Sequence, residues 1–169
     1  MLAYVKKKKY LCIAISTKMK KLLFICHGNI CRSPMAEEVM RHLVEEAGCS
    51  EEYEIASAAV STEEIGNDMY PPAQRKLREK GIPFGRHAAR QITRDDYRHY
   101  DRIVCMDRSN LRWLSRIIGD DTEGKVSLLM AWTGESRDVA DPWYTGDFEA
   151  TYRDVIAGCT SLLAALQGE

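Results

Sequence analysis

The sequence has no excess of either charge. Twenty-four Lys and Arg against 25 Asp and Glu leave a net charge of −1, so there is no global basic field of the kind that recruits nucleic acid or a membrane surface. No apolar stretch approaches the roughly 20 residues of a membrane-spanning helix. There are no internal repeats, and no low-complexity segment apart from one lysine run. No linker divides the chain. The six cysteines form no CxxC pair and no zinc-finger spacing, so neither a structural metal nor any other cofactor is expected. They do not look like a disulfide framework. Cys12, Cys49, Cys105 and Cys159 read as small core hydrophobes. A reducing cytoplasm is the natural setting for unpaired thiols.

What is present fits one soluble domain. A chain of 169 residues, 45% hydrophobic and 29% charged, can bury a substantial core. Residues 1–18 stand apart: "MLAYVKKKKYLCIAIS" loosely imitates a secretory signal, but its apolar part is short and no clean cleavage site follows. Met19 opens "MKKLLFICHGN", which favours residues 1–18 as an extension upstream of the natural start. An export signal is the lesser alternative.

From Met19 onward, apolar runs alternate with amphipathic ones. Strands are expected at Lys20–Cys26, Tyr53–Val60, Asp101–Met106 and Lys125–Met130. Helices are expected from Pro34 to Gly48, with Ser33 as cap, and at Pro72–Gly81. Further helices are expected at Thr93–Tyr100, Ser109–Gly119 and Phe148–Leu166. Glu37, Glu38 and Arg41 fall on the polar side of the first helix, and "DVADPWYTGD" reads as loop. Alternating strands and helices imply a parallel sheet covered on both faces, with ligands bound at the carboxyl ends of the strands.

The loop after the first strand is "CHGNICRSP", Cys26 to Pro34. A loop entering a helix N-terminus turns several backbone N–H groups toward one point, where the helix dipole adds positive charge. Such a nest binds a tetrahedral oxyanion. Gly28 gives the backbone its freedom, and Arg32 adds a guanidinium fork matched to phosphate oxygens. The same field should lower the pKa of Cys26 below the ~8.5 of a free thiol, with Ser33 donating a further hydrogen bond. A thiolate facing a bound phosphate is placed for in-line attack on phosphorus. Such a reaction also needs an acid for the leaving group. Asp141, before Pro142, is the candidate, with Trp143 and Tyr144 as an aromatic wall for a flat substrate.

"CHGNICRSP" together with "DPWY" closely resembles the low-molecular-weight protein tyrosine phosphatases. "SAAVS" (Ser57–Ser61), "RHAARQIT" (Arg86–Thr93) and "DRIVCMDRSNL" (Asp101–Leu111) extend the resemblance over nearly all of 19–169. It implies a single three-layer α/β domain with a four-stranded parallel sheet. It implies metal-free hydrolysis of phosphotyrosine in protein substrates through a phosphocysteine. It makes Cys26 the nucleophile, Arg32 the phosphate clamp and Asp141 the general acid, then base, with the phosphate held by the loop His27, Gly28, Asn29, Ile30, Cys31 and Arg32. It assigns Asn29 to holding the loop through Ser33, Ser57 and His87, and pairs Cys26 with Cys31 in a reversible disulfide. A cytoplasmic monomer is expected, with no nucleic-acid or membrane partner.

The sequence departs from the family pattern in two places. Where an aromatic residue commonly lines the cleft there is "STEEIG", which puts Glu63 in the substrate wall; with Glu64 it should disfavour strongly acidic phosphopeptides. "DPWY" has tryptophan where tyrosine is common. Among rival readings, an arsenate reductase needs relay cysteines that 71–94 lack, and a protein-arginine phosphatase carries threonine where Ile30 stands. A catalytically silent phosphate-binding module would lack one of Cys26, Arg32 and Asp141.

Overall fold

The computed structural model describes residues 18–169; the expectations for Cys12 and most of the 1–18 extension fall outside the described residues. Four strands form one all-parallel sheet: β1 (Lys20–Cys26), β2 (Tyr53–Ala59), β3 (Arg102–Cys105) and β4 (Val126–Leu128), in the order β2-β1-β3-β4. Leu22, Leu23, Phe24 and Ile25 of central β1 are all fully buried. Alternation splits them between two cores. Leu22, Phe24 and Cys26 face a core completed by α1 (Arg32–Glu46), α2 (Pro71–Glu79) and the long α6 (Phe148–Gln167). Leu23 and Ile25 face a smaller one completed by α3 (Arg94–His99) and α4 (Arg108–Ile118). A strand buried on both faces must be apolar throughout, which is why "LLFI" shows no polar alternation.

The carboxyl end of β1 runs straight into the Cys26–Cys31 loop, and α1 begins at Arg32. Ser33 therefore lies inside the helix instead of capping it. Cys31 holds the cap position without a side-chain cap bond, and the Ser33 hydroxyl is turned to the loop. α1 stops as expected, at Glu46, with left-handed Gly48 beyond it. Glu37 is not on a solvent face. It is buried, its charge met by Arg41 at 2.6 Å and by the hydroxyl of Ser57. The α3 and α4 boundaries are set by capping boxes, Thr93 with Asp96 and Asp107 with Asn110.

Two expectations are corrected by packing. β4 pairs only over three residues; the chain then coils into a 3-10 turn, Leu129–Thr133, because Leu129 and Met130 are drawn into the core under α6. "DVADPWYTGD" is not all loop: Pro142–Thr145 forms a single helical turn, α5, with Asp141 as its N-cap and Pro142 at its first position.

Candidate active site

Cys26, Arg32 and Asp141 line one cleft of about 380 Å³ at the carboxyl edge of the sheet. Cys26 is the last residue of β1, Arg32 opens α1, and Asp141 caps α5. Sequence separation is large, but the parallel topology brings all these ends to one edge.

The loop is held in shape by Asn29. Its φ of +60° is the only positive value at a non-glycine among the described residues, a conformation asparagine tolerates. Gly28 is not in that region, so its part differs from the one expected: a Cβ there would lie 3.2 Å from Cγ of Glu64, which folds over the loop. Glycine makes room at this position. Asn29 Nδ2 donates to Ser33 Oγ at 2.8 Å and to Ser57 Oγ at 2.9 Å. Arg90 N donates to Asn29 Oδ1 at 3.2 Å, and His87 Nε2 donates to the Asn29 carbonyl at 2.6 Å. Ser33 Oγ also lies 3.0 Å from Cys26 Sγ and donates to it when the sulfur is a thiolate, which has no proton to give. The Asn29 backbone N–H also donates to Sγ, at 3.3 Å. Ser57 in turn donates to the buried Glu37, which the exposed Arg41 reaches from the surface, so this pair anchors the network from behind.

Arg32 is 3% exposed. Its Nη1 donates to Asp107 at 2.7 Å and to the Val139 carbonyl at 3.3 Å, and its Nη2 to Asp141 at 3.0 Å. Burial opposes its charge, but Cys26, Asp141 and Asp107 outweigh burial and raise its pKa above the ordinary arginine value. Cys31 behaves oppositely. Burial first, then the negative charge of Cys26 and of Asp141, push its thiol up to about 12.

Asp141 Oδ1 accepts from the Trp143 N–H at 3.1 Å, so the helical turn fixes the carboxylate above the loop. Trp143 leans on Tyr70, with ring centroids 5.3 Å apart, while Tyr144 projects with 86% exposure. On the opposite rim Glu63 meets His27 at 3.1 Å. The structure thus gathers every residue proposed from the sequence for catalysis, the phosphate loop, its support and the wall.

Sequence reasoning missed four residues. Asp107 shares Arg32 with Asp141; its signal was the "D-x-x-N" box at the head of α4. Asn110, the other half of that box, lines the cleft, and its Nδ2 is the only buried side-chain N or O among the described residues without a partner. Tyr70 supports Trp143, and its N–H donates to the Ile30 carbonyl at 2.8 Å. Trp113, on α4, lines the cleft on the side where the "STEEIG" loop offers no ring.

A parallel α/β sheet with a thiol and an arginine bracketing an anion nest, and a carboxylate set above it, defines a cysteine-dependent phosphatase. Residues 21–169 match the family described as low molecular weight phosphotyrosine protein phosphatase. The chain is 41% identical over 151 residues to the phosphatase of that name from Gallus gallus, covering 86% of this chain and 95% of that one. It is 37% identical over 153 residues to low molecular weight protein-tyrosine-phosphatase YfkJ of Bacillus subtilis, covering 89% and 98%. The crystal structure of YfkJ superposes with a TM-score of 0.86, over 89% of this chain and 96% of that one. That of SP-PTP from Streptococcus pyogenes does so with 0.79 at 39% identity, over 88% and 93%. The chain belongs to the low-molecular-weight phosphotyrosine protein phosphatase family, a group of cysteine-based protein-tyrosine phosphatases.

Proposed function

We propose that this chain hydrolyses phosphotyrosine in proteins, and small aryl phosphates, through a phosphocysteine on Cys26. One observation carries the reading: Cys26, Arg32 and Asp141 meet in one cleft, with the Arg32 guanidinium in hydrogen-bond contact with the acid. In the first step the Cys26 thiolate attacks phosphorus while loop N–H groups and the Arg32 fork hold the non-bridging oxygens. The S–P bond forms as the P–O bond breaks, and the departing electron pair on the phenolic oxygen takes the proton of Asp141. In the second step water gives a proton to the Asp141 carboxylate and attacks phosphorus. The S–P bond breaks, its electrons return to sulfur, and inorganic phosphate leaves. Ser33 stabilises the sulfur as nucleophile and as leaving group.

Trp143 and Tyr144 favour phosphotyrosine over phosphoserine, because a long aromatic side chain reaches the loop and can stack at the mouth. The reading takes 19–169 as the phosphatase domain, acting as a monomer. The free, buried cysteines 31, 105 and 159 support a reducing, cytoplasmic setting.

The reading includes a redox switch. Peroxide takes the Cys26 thiolate to sulfenic acid, releasing hydroxide. Condensation with the Cys31 thiol releases water and leaves a Cys26–Cys31 disulfide, which a thiol reductant reopens. Once Cys26 is a neutral sulfenic acid, one of the charges that hold Cys31 protonated is gone.

The deciding experiment is hydrolysis of p-nitrophenyl phosphate without added metal, by the wild type and by Cys26→Ser. A serine hydroxyl is not ionised at neutral pH, so the variant should be inactive; near-normal turnover would end the phosphocysteine reading.

A further inference from the structure

The mouth of the cleft carries groups that the two-step chemistry does not use. Glu63 and Glu64 are two of them. Ser109 and Trp113 line the cleft from α4, with the His27 imidazole between Trp113 and Glu63. Positions 109, 113 and 116 are spaced four and three residues apart, so they share one helix face leading outward from the mouth. Arg116 continues that face, with its guanidinium carbon 5.6 Å from the centroid of the Trp113 ring. Trp113 also meets His27 edge-on, at 5.7 Å between centroids. The indole is therefore set between the phosphate loop and Arg116. Arg108 of the same helix is paired with Asp138, whereas Arg116 has no ion-pair partner among the described residues. Trp113 is 41% exposed, while its neighbour Leu114 is buried in the core. A large aromatic left open beside a cleft, with an unpaired guanidinium laid over it, is built to meet something from outside.

We propose that the Trp113–Arg116 face of α4 is a subsite for an acidic side chain adjacent to the phosphotyrosine of a protein substrate. It rests on the phosphatase reading and adds substrate selection to it. With the phosphate anchored in the loop, the flanking residues of the peptide emerge at the mouth. A carboxylate on the α4 side meets the Arg116 fork, which Trp113 holds flat by a cation–π contact. The indole also offers apolar surface to the stem of the acidic residue. Glu63 and Glu64, beyond His27 from the indole, repel the same residue where the peptide crosses them. Acidity is then read by position: favoured where Arg116 is in reach and disfavoured over Glu63 and Glu64.

The test measures kcat/KM for the wild type, Arg116→Glu and Arg116→Lys at low ionic strength. Four phosphotyrosine peptides carry Asp or Lys either just before or just after the phosphotyrosine. The wild type should favour Asp over Lys at one placement only, by up to about five-fold, the scale of an exposed ion pair. Arg116→Glu should invert that ratio and Arg116→Lys should keep its direction. The ratio is taken within each variant, so differences in basal turnover cancel. An Asp-to-Lys ratio at or below one at both placements, or the same ratio in Arg116→Glu as in the wild type, overturns the subsite and leaves the phosphatase reading standing. Absence of any Cys26-dependent peptide hydrolysis overturns both.

Discussion

At the scale of single residues, the site divides its labour among groups of different accessibility and charge. Arg32 is buried and sits among three negative groups, so Arg32→Ala should lose both phosphate affinity and rate. It should also leave Asp107 and Asp141 without their cation. Asp141→Ala leaves Arg32 held by Asp107 and removes the proton donor, together with one Arg32 partner and the N-cap of α5. Turnover of aryl phosphates should fall by on the order of 10²–10⁴, with phosphate inhibition little changed, and a smaller loss would assign the acid elsewhere. Cys31 differs in kind. Its thiol is raised to about 12, so at neutral pH it is neutral and leaves first oxidation to Cys26. Cys31→Ser should retain most basal activity. After a brief peroxide pulse, dithiothreitol should restore the wild type far better than this variant, and the oxidised wild type should carry a Cys26–Cys31 bond by mass spectrometry. Equal recovery in both would remove Cys31 from any protective part.

At the scale of elements, β1, its loop and α1 were legible in order and nearly in extent, because each carries a strong local signal. These signals are an unbroken apolar run, a glycine and asparagine in the loop, a helical stripe and a terminal glycine. The errors arose where tertiary structure reassigns a side chain. Ser33 carries the marks of an N-cap, but the loop needs its hydroxyl at Cys26. Glu37 has a surface residue's charge, but Arg41 and Ser57 satisfy it in the interior. Trp113 lies on α4 off the core stripe of Leu111, Leu114 and Ile118, and no local pattern ties it to a loop so distant in sequence. β4 was overextended because Leu129 and Met130 look like strand and are in fact packed beneath α6. That packing leaves no spare room. A Cβ at Gly158 of α6 would lie 2.4 Å from Cγ of Leu129. Gly158→Ala should therefore lower stability by about 1–3 kcal/mol, the usual cost of overpacking, despite the better helix propensity of alanine. Thermal unfolding would show it as a reduced Tm, and an unchanged or raised Tm would mean that the turn at Leu129–Thr133 yields easily.

At the scale of the whole molecule, one parallel sheet delivers the nucleophile loop and the ends of β2 and β3 to a single edge, and ionisable groups with shifted pKa lie both there and at the opposite edge. The Arg90–Asp96 pair, at 2.8 Å, ties the segment around His87 and Arg90 to α3. Arg90 N donates in turn to Asn29 Oδ1 in the phosphate loop. Burial alone would raise the Asp96 pKa, but the hydrogen bonds and charge of Arg90, with those of Thr93, leave it below the ordinary aspartate value. Asp121, bonded by Tyr97 and two backbone N–H groups, is lowered in the same way. Glu149, bonded by Lys76 and Lys80, falls to about 2. For a carboxylate whose folded pKa is depressed, the stabilisation is complete above its unfolded pKa and is lost as pH falls through the folded one. Cys31 and Tyr53, both raised to about 12 chiefly by burial, act at the other end. Their contribution is complete below their unfolded values and is lost as pH rises through the folded ones. Stability should therefore form a plateau, from above the ordinary carboxylate range to below the ordinary thiol range. Urea unfolding of the wild type and of Asp96→Asn across the acid side would test the Asp96 part. The variant should be less stable at pH 7, with a smaller deficit at each step toward pH 2, because the wild type loses there what the variant never had. A deficit that stays constant from pH 7 to pH 2 would show that the Arg90–Asp96 pair contributes through shape alone and not through its charge.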